Sequence, residues 1–196
     1  MKLDPFTDAL FRLVHCYIPP GVDTHEPRYR ESEESQRLTR LLLANQQPSL
    51  TWDAFTNQVV EAFPGCSIWD ATVPMHEPCN IIRVSLPGPR ADNIPYDSVV
   101  GLLSQLAPVY ALYASHHTTR LSRRTGGEAW WRFAPFPPEY QAHEAKLAAL
   151  IESTLGFTRL SPEALLTPVP DLVPRVANYL LGEAVLAHCL FTPHLW

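Results

Sequence analysis

Lysine is almost missing from this chain. Lys2 and Lys146 stand against 13 arginines, and the 15 basic residues are outnumbered by 20 acidic ones, for a net charge of -5. That balance argues against a dedicated duplex-binding protein, whose affinity comes largely from neutralising phosphates. A GC-rich coding genome accounts for the arginine bias, although arginine's planar donor fork also suits ion pairs and interfaces. Long apolar runs are absent too: nothing approaches the ~20 residues that cross a bilayer. The apolar stretch 9–18 is interrupted by Arg12 and His15, and no small-residue cleavage site follows it. A soluble, cytoplasmic protein with no membrane partner is expected.

Glycine is scarce, 8 residues against 20 prolines. Gly126-Gly127 is a lone pair with neither GxxxxGK nor GxGxxG around it, so no phosphate cradle is read. There is no GxSxG elbow and no HExxH. His76-Glu77-Pro78-Cys79 superficially resembles parts of the zinc-deaminase pattern. The glutamate is adjacent to the histidine, however, and no second cysteine lies three positions after Cys79. That segment reads as a turn between strands, and neither a metal nor a cofactor is expected.

The four cysteines, Cys16, Cys66, Cys79 and Cys189, form no CxxC pair. Cys16 and Cys189 sit in apolar runs, where free cysteine behaves as a small buried hydrophobe. All four are read as reduced thiols of a cytosolic protein. His15-Cys16 and His188-Cys189 are adjacent pairs that would alternate across a sheet, which disfavours direct catalytic pairing. A Cys16–His188 pair drawn from separate strands stays open.

What is present is enough for a core: 46% of the 196 residues are hydrophobic and 18% charged. A chain of this length buries roughly 70% of its unfolded surface. Phe11 to Ile18 alternates with apolar residues on both faces and reads as a strand ended by Pro19-Pro20-Gly21. Ser32-Glu33-Glu34 starts a helix with the stripe Leu38, Leu41, Leu42. Thr51 is the expected N-cap of a second helix, with Trp52, Phe55, Val59 and Phe63 on one face.

Residues 66–73 and 79–86 read as strands, and 99–115 as two strands or one bent at Pro108. Residues 120–127 form a hairpin tip whose return strand is Ala129 to Phe133. Pro137-Pro138-Glu139 opens a helix with the stripe Tyr140, His143, Leu147, Leu150, Ile151 and Leu155, capped by Gly156. Ser161-Pro162-Glu163 starts a further turn of helix, and 167–174 is extended. Residues 176–191 read first as a hairpin, with a single helix from Val176 as the alternative. The whole, residues 1–196, is expected to be a single α+β domain, a mainly antiparallel sheet with helices packed against it.

Two charge clusters remain. His116, His117, Arg120, Arg123, Arg124 and Arg132 gather positive charge beside Trp130 and Trp131. Arginine beside tryptophan is the composition of interface anchors, and it can also stack single-stranded nucleic acid. His116-His117 itself reads as a solvated strand end. The second cluster, Glu26 to Glu34 interleaved with Arg28, Tyr29 and Arg30, reads as a helix start or an acidic docking edge.

In character the chain resembles a bacterial immunity protein of the polymorphic-toxin type. The resemblance rests on three pieces: an opening strand ending Tyr17-Ile-Pro-Pro-Gly21, a Trp52-anchored helix ending Phe63-Pro-Gly65, and the closing run Leu181 to Phe191. It implies a stoichiometric, non-enzymatic inhibitor that occludes a cognate toxin domain, and it carries no catalytic residue. The expected contact residues are His117, Arg120, Arg123, Arg124, Trp130 and Arg132. Two alternatives stand beside this reading: a small hydrolase whose Cys/His site assembles from separate strands, and a single-strand nucleic-acid binder on residues 120–131. Nucleic acid is not the expected partner.

Overall fold

The structure, a computed structural model, describes residues 4–46, 49–87, 95–118, 129–175 and 179–191. The chain opens with a helix, α1 (Pro5–His15), where alternation predicts a strand. The Asp4 carboxylate accepts from the Phe6 and Thr7 amides, and Pro5 occupies the first turn, where its missing N–H is harmless. Leu10, Val14 and Ile18, spaced by four, are the buried stripe. Because residues 11–18 are apolar on either periodicity, the start signal upstream decides the matter. Cys16 caps this helix and is exposed, contrary to its expected burial.

α2 (Pro27–Glu31) buries Tyr29, whose hydroxyl donates to the Val173 carbonyl at 3.0 Å. The Glu26–Glu34 cluster is therefore wrapped around a short helix and a helix start. Ser32 caps α3 (Glu33–Ala44), which buries Leu38 and Leu42. The cap of α4 (Leu50–Ala62) is Ser49, two residues before the expected Thr51, because the Ser49 hydroxyl is the one that reaches the Trp52 amide.

The middle of the chain is the sheet. β1 (Ser67–Asp70), β2 (Cys79–Ser85), β3 (Pro95–Ser104), β4 (Val109–Thr118) and β5 (Ala129–Arg132) pair antiparallel in chain order. β6 (Thr158–Arg159) lies parallel to β4, on the same side of it as β5. α5 (Pro138–Leu155) ends at Gly156 in the left-handed conformation, as its sequence predicts. α6 (Pro162–Leu165) is capped by Ser161.

The expected terminal hairpin or long helix is neither. Gly182 turns the chain at φ 98°, Val185 bridges to Pro168, and only α7 (Leu186–Leu190) is helical among the described residues there. A left-handed turn at Gly182 breaks any continuous helix. The bridge is made to an element 17 residues earlier rather than to a local hairpin partner.

Both faces of the sheet are covered, so alternate strand residues enter two different cores. Val100, Leu102, Val109 and Ala111 meet α1, α6 and α7. Val99, Leu103, Tyr110, Leu112 and Ala114 meet α4 and α5. The architecture is α+β, with helices against a mainly antiparallel sheet. Among the described residues no helix is long and apolar enough to cross a membrane.

Gly101 sits in β3 between a β2 side chain and α5: an added Cβ would lie 3.0 Å from Ile82 Cγ2 and 3.5 Å from Ile151 Cδ1. Gly101→Val inserts two further methyls into that contact. It is expected to destabilise by about 1–3 kcal/mol through overpacking, read as a lower denaturant midpoint with an unchanged m-value. A midpoint at or above the parent's would show that the layer has slack.

Candidate binding edge of the sheet

Of the expected contact residues, Arg120, Arg123 and Arg124 lie outside the described residues. His117 is placed on β4 opposite Ala129. Trp130 and Arg132 lie on β5, and they differ in what they can offer. Trp130 is half-buried on the α5 side. Its ring stacks on His116 with centroids 5.6 Å apart and planes at 14°, and meets the edge of Tyr140 at 5.8 Å. The Arg132 guanidinium also lies over this ring, 5.9 Å from its centre. Trp131 points to the opposite face, against Phe133, and is 36% exposed. Trp131 and the exposed Arg132 are thus both accessible, but on opposite faces of β5, with Arg132 on the face of Trp130.

That packing rests on a polar cluster invisible in the sequence. Asp97 of β3 stands opposite His116 of β4 and takes a 2.7 Å contact from its Nδ1. The same carboxylate oxygen accepts the Tyr140 hydroxyl at 2.5 Å. Burial, and secondarily the Asp97 carboxylate, push the Tyr140 phenol well above its ordinary range, so it remains a donor. His116 is thus a half-buried, paired strand residue rather than a solvated end. Three elements converge here, and the result fixes the ring of Trp130.

Just below β5 lies a cleft of about 420 Å³ between β4, α5 and the β6–α6 segment. Leu112, Phe133, Phe136, Leu160 and Leu165 supply apolar lining. Glu144 and Arg159 form an ion pair on its wall, and the Arg159 guanidinium lies 5.8 Å from the Phe136 ring centre. The volume falls within the range of small-ligand sites.

The disfavoured pairs His15–Cys16 and His188–Cys189, and the members of the open pair Cys16–His188, take other roles. His15 Nε2 meets Asp171 at 3.0 Å and Nδ1 meets the Phe11 carbonyl at 2.7 Å, so both ring nitrogens are engaged away from Cys16. The Cys16 thiol donates back to the Arg12 carbonyl. His188 Nδ1 accepts the Val185 amide, and its ring stacks on Tyr179 at 4.5 Å. Burial pushes the neighbouring Cys189 thiol up to about 12, which keeps it protonated and non-nucleophilic at neutral pH.

The Cys/His neighbours that sequence reasoning missed are Cys66 and His143. They line one cavity of about 180 Å³ with Lys146. His143 stacks on Phe63, its Nδ1 buried without a hydrogen-bond partner. Burial raises the Cys66 thiol and Lys146 lowers it, with burial the larger effect. Among the described residues no group of three or more His, Cys, Asp or Glu side chains is placed to hold a metal ion. Compared with known proteins, the chain matches no family model, no curated protein and no solved structure.

His188 supplies a pH dependence. Burial lowers its pKa from 6.5 to about 4, and protonating Nδ1 would break the bond from the Val185 amide. Between those values the unfolded chain binds a proton that the folded one does not, so stability falls as pH drops from about 6.5 to about 4. Thermal melts across that window are expected to show a loss that His188→Gln reduces. Equal slopes in the two proteins would remove His188 as the cause.

Proposed function

We propose that this chain is a protein-binding module that acts by covering a surface of a cognate toxin domain, without chemistry of its own. The observation that supports the reading is that Trp131 and Arg132 are both accessible, one on each face of an outer strand of the sheet. Trp130, on the Arg132 side, braces that strand against His116 and Tyr140. Tryptophan and arginine are the residue types that dominate binding energy at interfaces, chiefly when held in place before the partner arrives.

The arginines of the sequence between β4 and β5, Arg120, Arg123 and Arg124, add positive charge to the same stretch of chain. Charge of this kind speeds encounter more than it strengthens the final complex. An interface of about 1,200–2,000 Å² in total would be of ordinary size for such an inhibitor. The toxin as partner comes from the resemblance of the opening element, the Trp52 helix and the closing run to immunity proteins.

The product of the neighbouring reading frame is the partner to test by titration calorimetry. Trp131→Ala is expected to weaken the complex at least tenfold, about 1.4 kcal/mol. Arg123→Glu with Arg124→Glu should slow association at low salt and leave dissociation nearly unchanged. If both variants bind as the parent does, the assigned surface is wrong. If the neighbouring product is no toxin and does not bind, the partner is wrong.

A further inference from the structure

β1 is the edge of the sheet farthest from β5, and its outer side is bare. The register that sets Ser67 opposite Ser85 continues to Ala71, whose N–H donates to the Ile81 carbonyl at 2.8 Å. Odd-numbered residues of β1 therefore turn their backbone groups toward β2, and Ile68 and Asp70 turn theirs away from the sheet. Among the described residues, none pairs with those outward N–H and C=O groups. Edge strands are commonly blunted by lysine, proline or an inward charge. β1 has neither lysine nor proline, and its charge is drawn aside. The Asp70 carboxylate accepts from the Trp52 indole at 2.8 Å and from the Thr72 amide at 3.0 Å. What limits pairing here is length, four residues, rather than chemistry.

Exposed apolar side chains flank this edge on both faces of the sheet. Trp69 stands opposite Arg83 on the α1-facing side and is 68% exposed, unusual for so large an apolar ring. On the other side α4 lies over β1, while α5 covers the inner strands β3 and β4. Gln58 of α4 accepts the Thr154 hydroxyl of α5 at 2.8 Å, which fixes the flank that looks inward. Val60 lies roughly 200° around the helix from Gln58, on the flank turned away from α5, and is 52% exposed.

We propose that two copies of this chain pair through their β1 strands, antiparallel across a two-fold axis, so that the sheet runs on from one molecule into the other. The edge is complementary to itself in one register. An axis at Trp69 sets Ile68 opposite Asp70 of the second copy, and Asp70 opposite its Ile68. Each pair exchanges both backbone hydrogen bonds, and every outward group finds a partner. Trp69 then meets its own counterpart at a non-hydrogen-bonded position, where Cα atoms approach to about 4.5 Å and side chains lie closest. Moving the axis to Asp70 sets two carboxylates directly opposite each other, which is destabilising. Moving it to Ile68 leaves Asp70 opposite Cys66, outside the strand. The Val60 flanks of the two α4 helices face each other over the same axis. Short strands bury less than the ~1,200 Å² of a stable complex, so the dimer is weak and reversible. It leaves the β5 edge free and does not rest on the binding reading above.

Sedimentation of the full chain up to about 1 mM is expected to show a monomer–dimer equilibrium with a Kd below roughly that concentration. Trp69→Lys puts a charge on the axis from each copy and should weaken the dimer at least tenfold. Val60→Lys should weaken it as well. Both side chains are exposed, so neither change should move the thermal midpoint of the monomer. Amide hydrogen exchange of nitrogen-15-labelled chain reads the register. The Ile68 and Asp70 amides should gain protection as concentration rises, while the Trp69 amide, bonded to β2, is protected throughout. A monomer at every concentration overturns the proposal, as does a dimer indifferent to both variants. A dimer whose Ile68 and Asp70 amides stay open would use another surface. Protection of those amides in the monomer would mean that the chain covers its own edge, and either result overturns the pairing.

Discussion

The pairing of β3 with β4 fixes nearly everything else in this molecule. The two ten-residue strands run in register from Pro95 opposite Thr118 to Leu103 opposite Tyr110. Both faces are buried along most of that length, so each side chain is committed to one of two cores. A slip of one residue would exchange the α5-facing set, Val99, Leu103, Tyr110 and Leu112, with the α1-facing set, Val100, Leu102, Val109 and Ala111. It would also separate Asp97 from His116. The polar cluster is therefore a consequence of that register.

The parts of the fold that were legible in the sequence carry local punctuation. Pro137-Pro138 and Gly156 mark α5 at both ends, Ser32 marks α3, and Pro108 separates β3 from β4. The failures lie where the deciding contact is distant or the pattern is degenerate. Residues 11–18 satisfy helix and strand periodicity alike, and the capping signal at Asp4-Pro5 falls outside them. The closing segment is set by the bridge from Val185 to Pro168 and by burial of Val169 and Leu172 in the α1-facing core.

The site was half legible for the same reason. An aromatic and arginine-rich return strand could be read at residues 129–133. Which tryptophan faces outward could not, because that depends on the register of β5 against β4. Asp97, His116 and Tyr140 come from two strands and a helix at separations that no motif encodes, and Cys66 and His143 meet only because the end of α4 packs on α5. A polar strand residue followed on the next strand by histidine, with a tyrosine in the first turn of a helix after two prolines, is too common a set to have singled out in advance.

β5 is four residues long, shorter than the usual strand, and short edge strands hold poorly on ladder bonds alone. Here side-chain contacts supplement the ladder. Trp130 is held between His116 and Tyr140 on one face, and Trp131 meets Phe133 on the other. The phenol of Tyr140 stays protonated, so Asp97 keeps one neutral donor whatever the charge of His116. This brace gives Arg132 a defined end point, and Phe133 turns from it into the cleft wall.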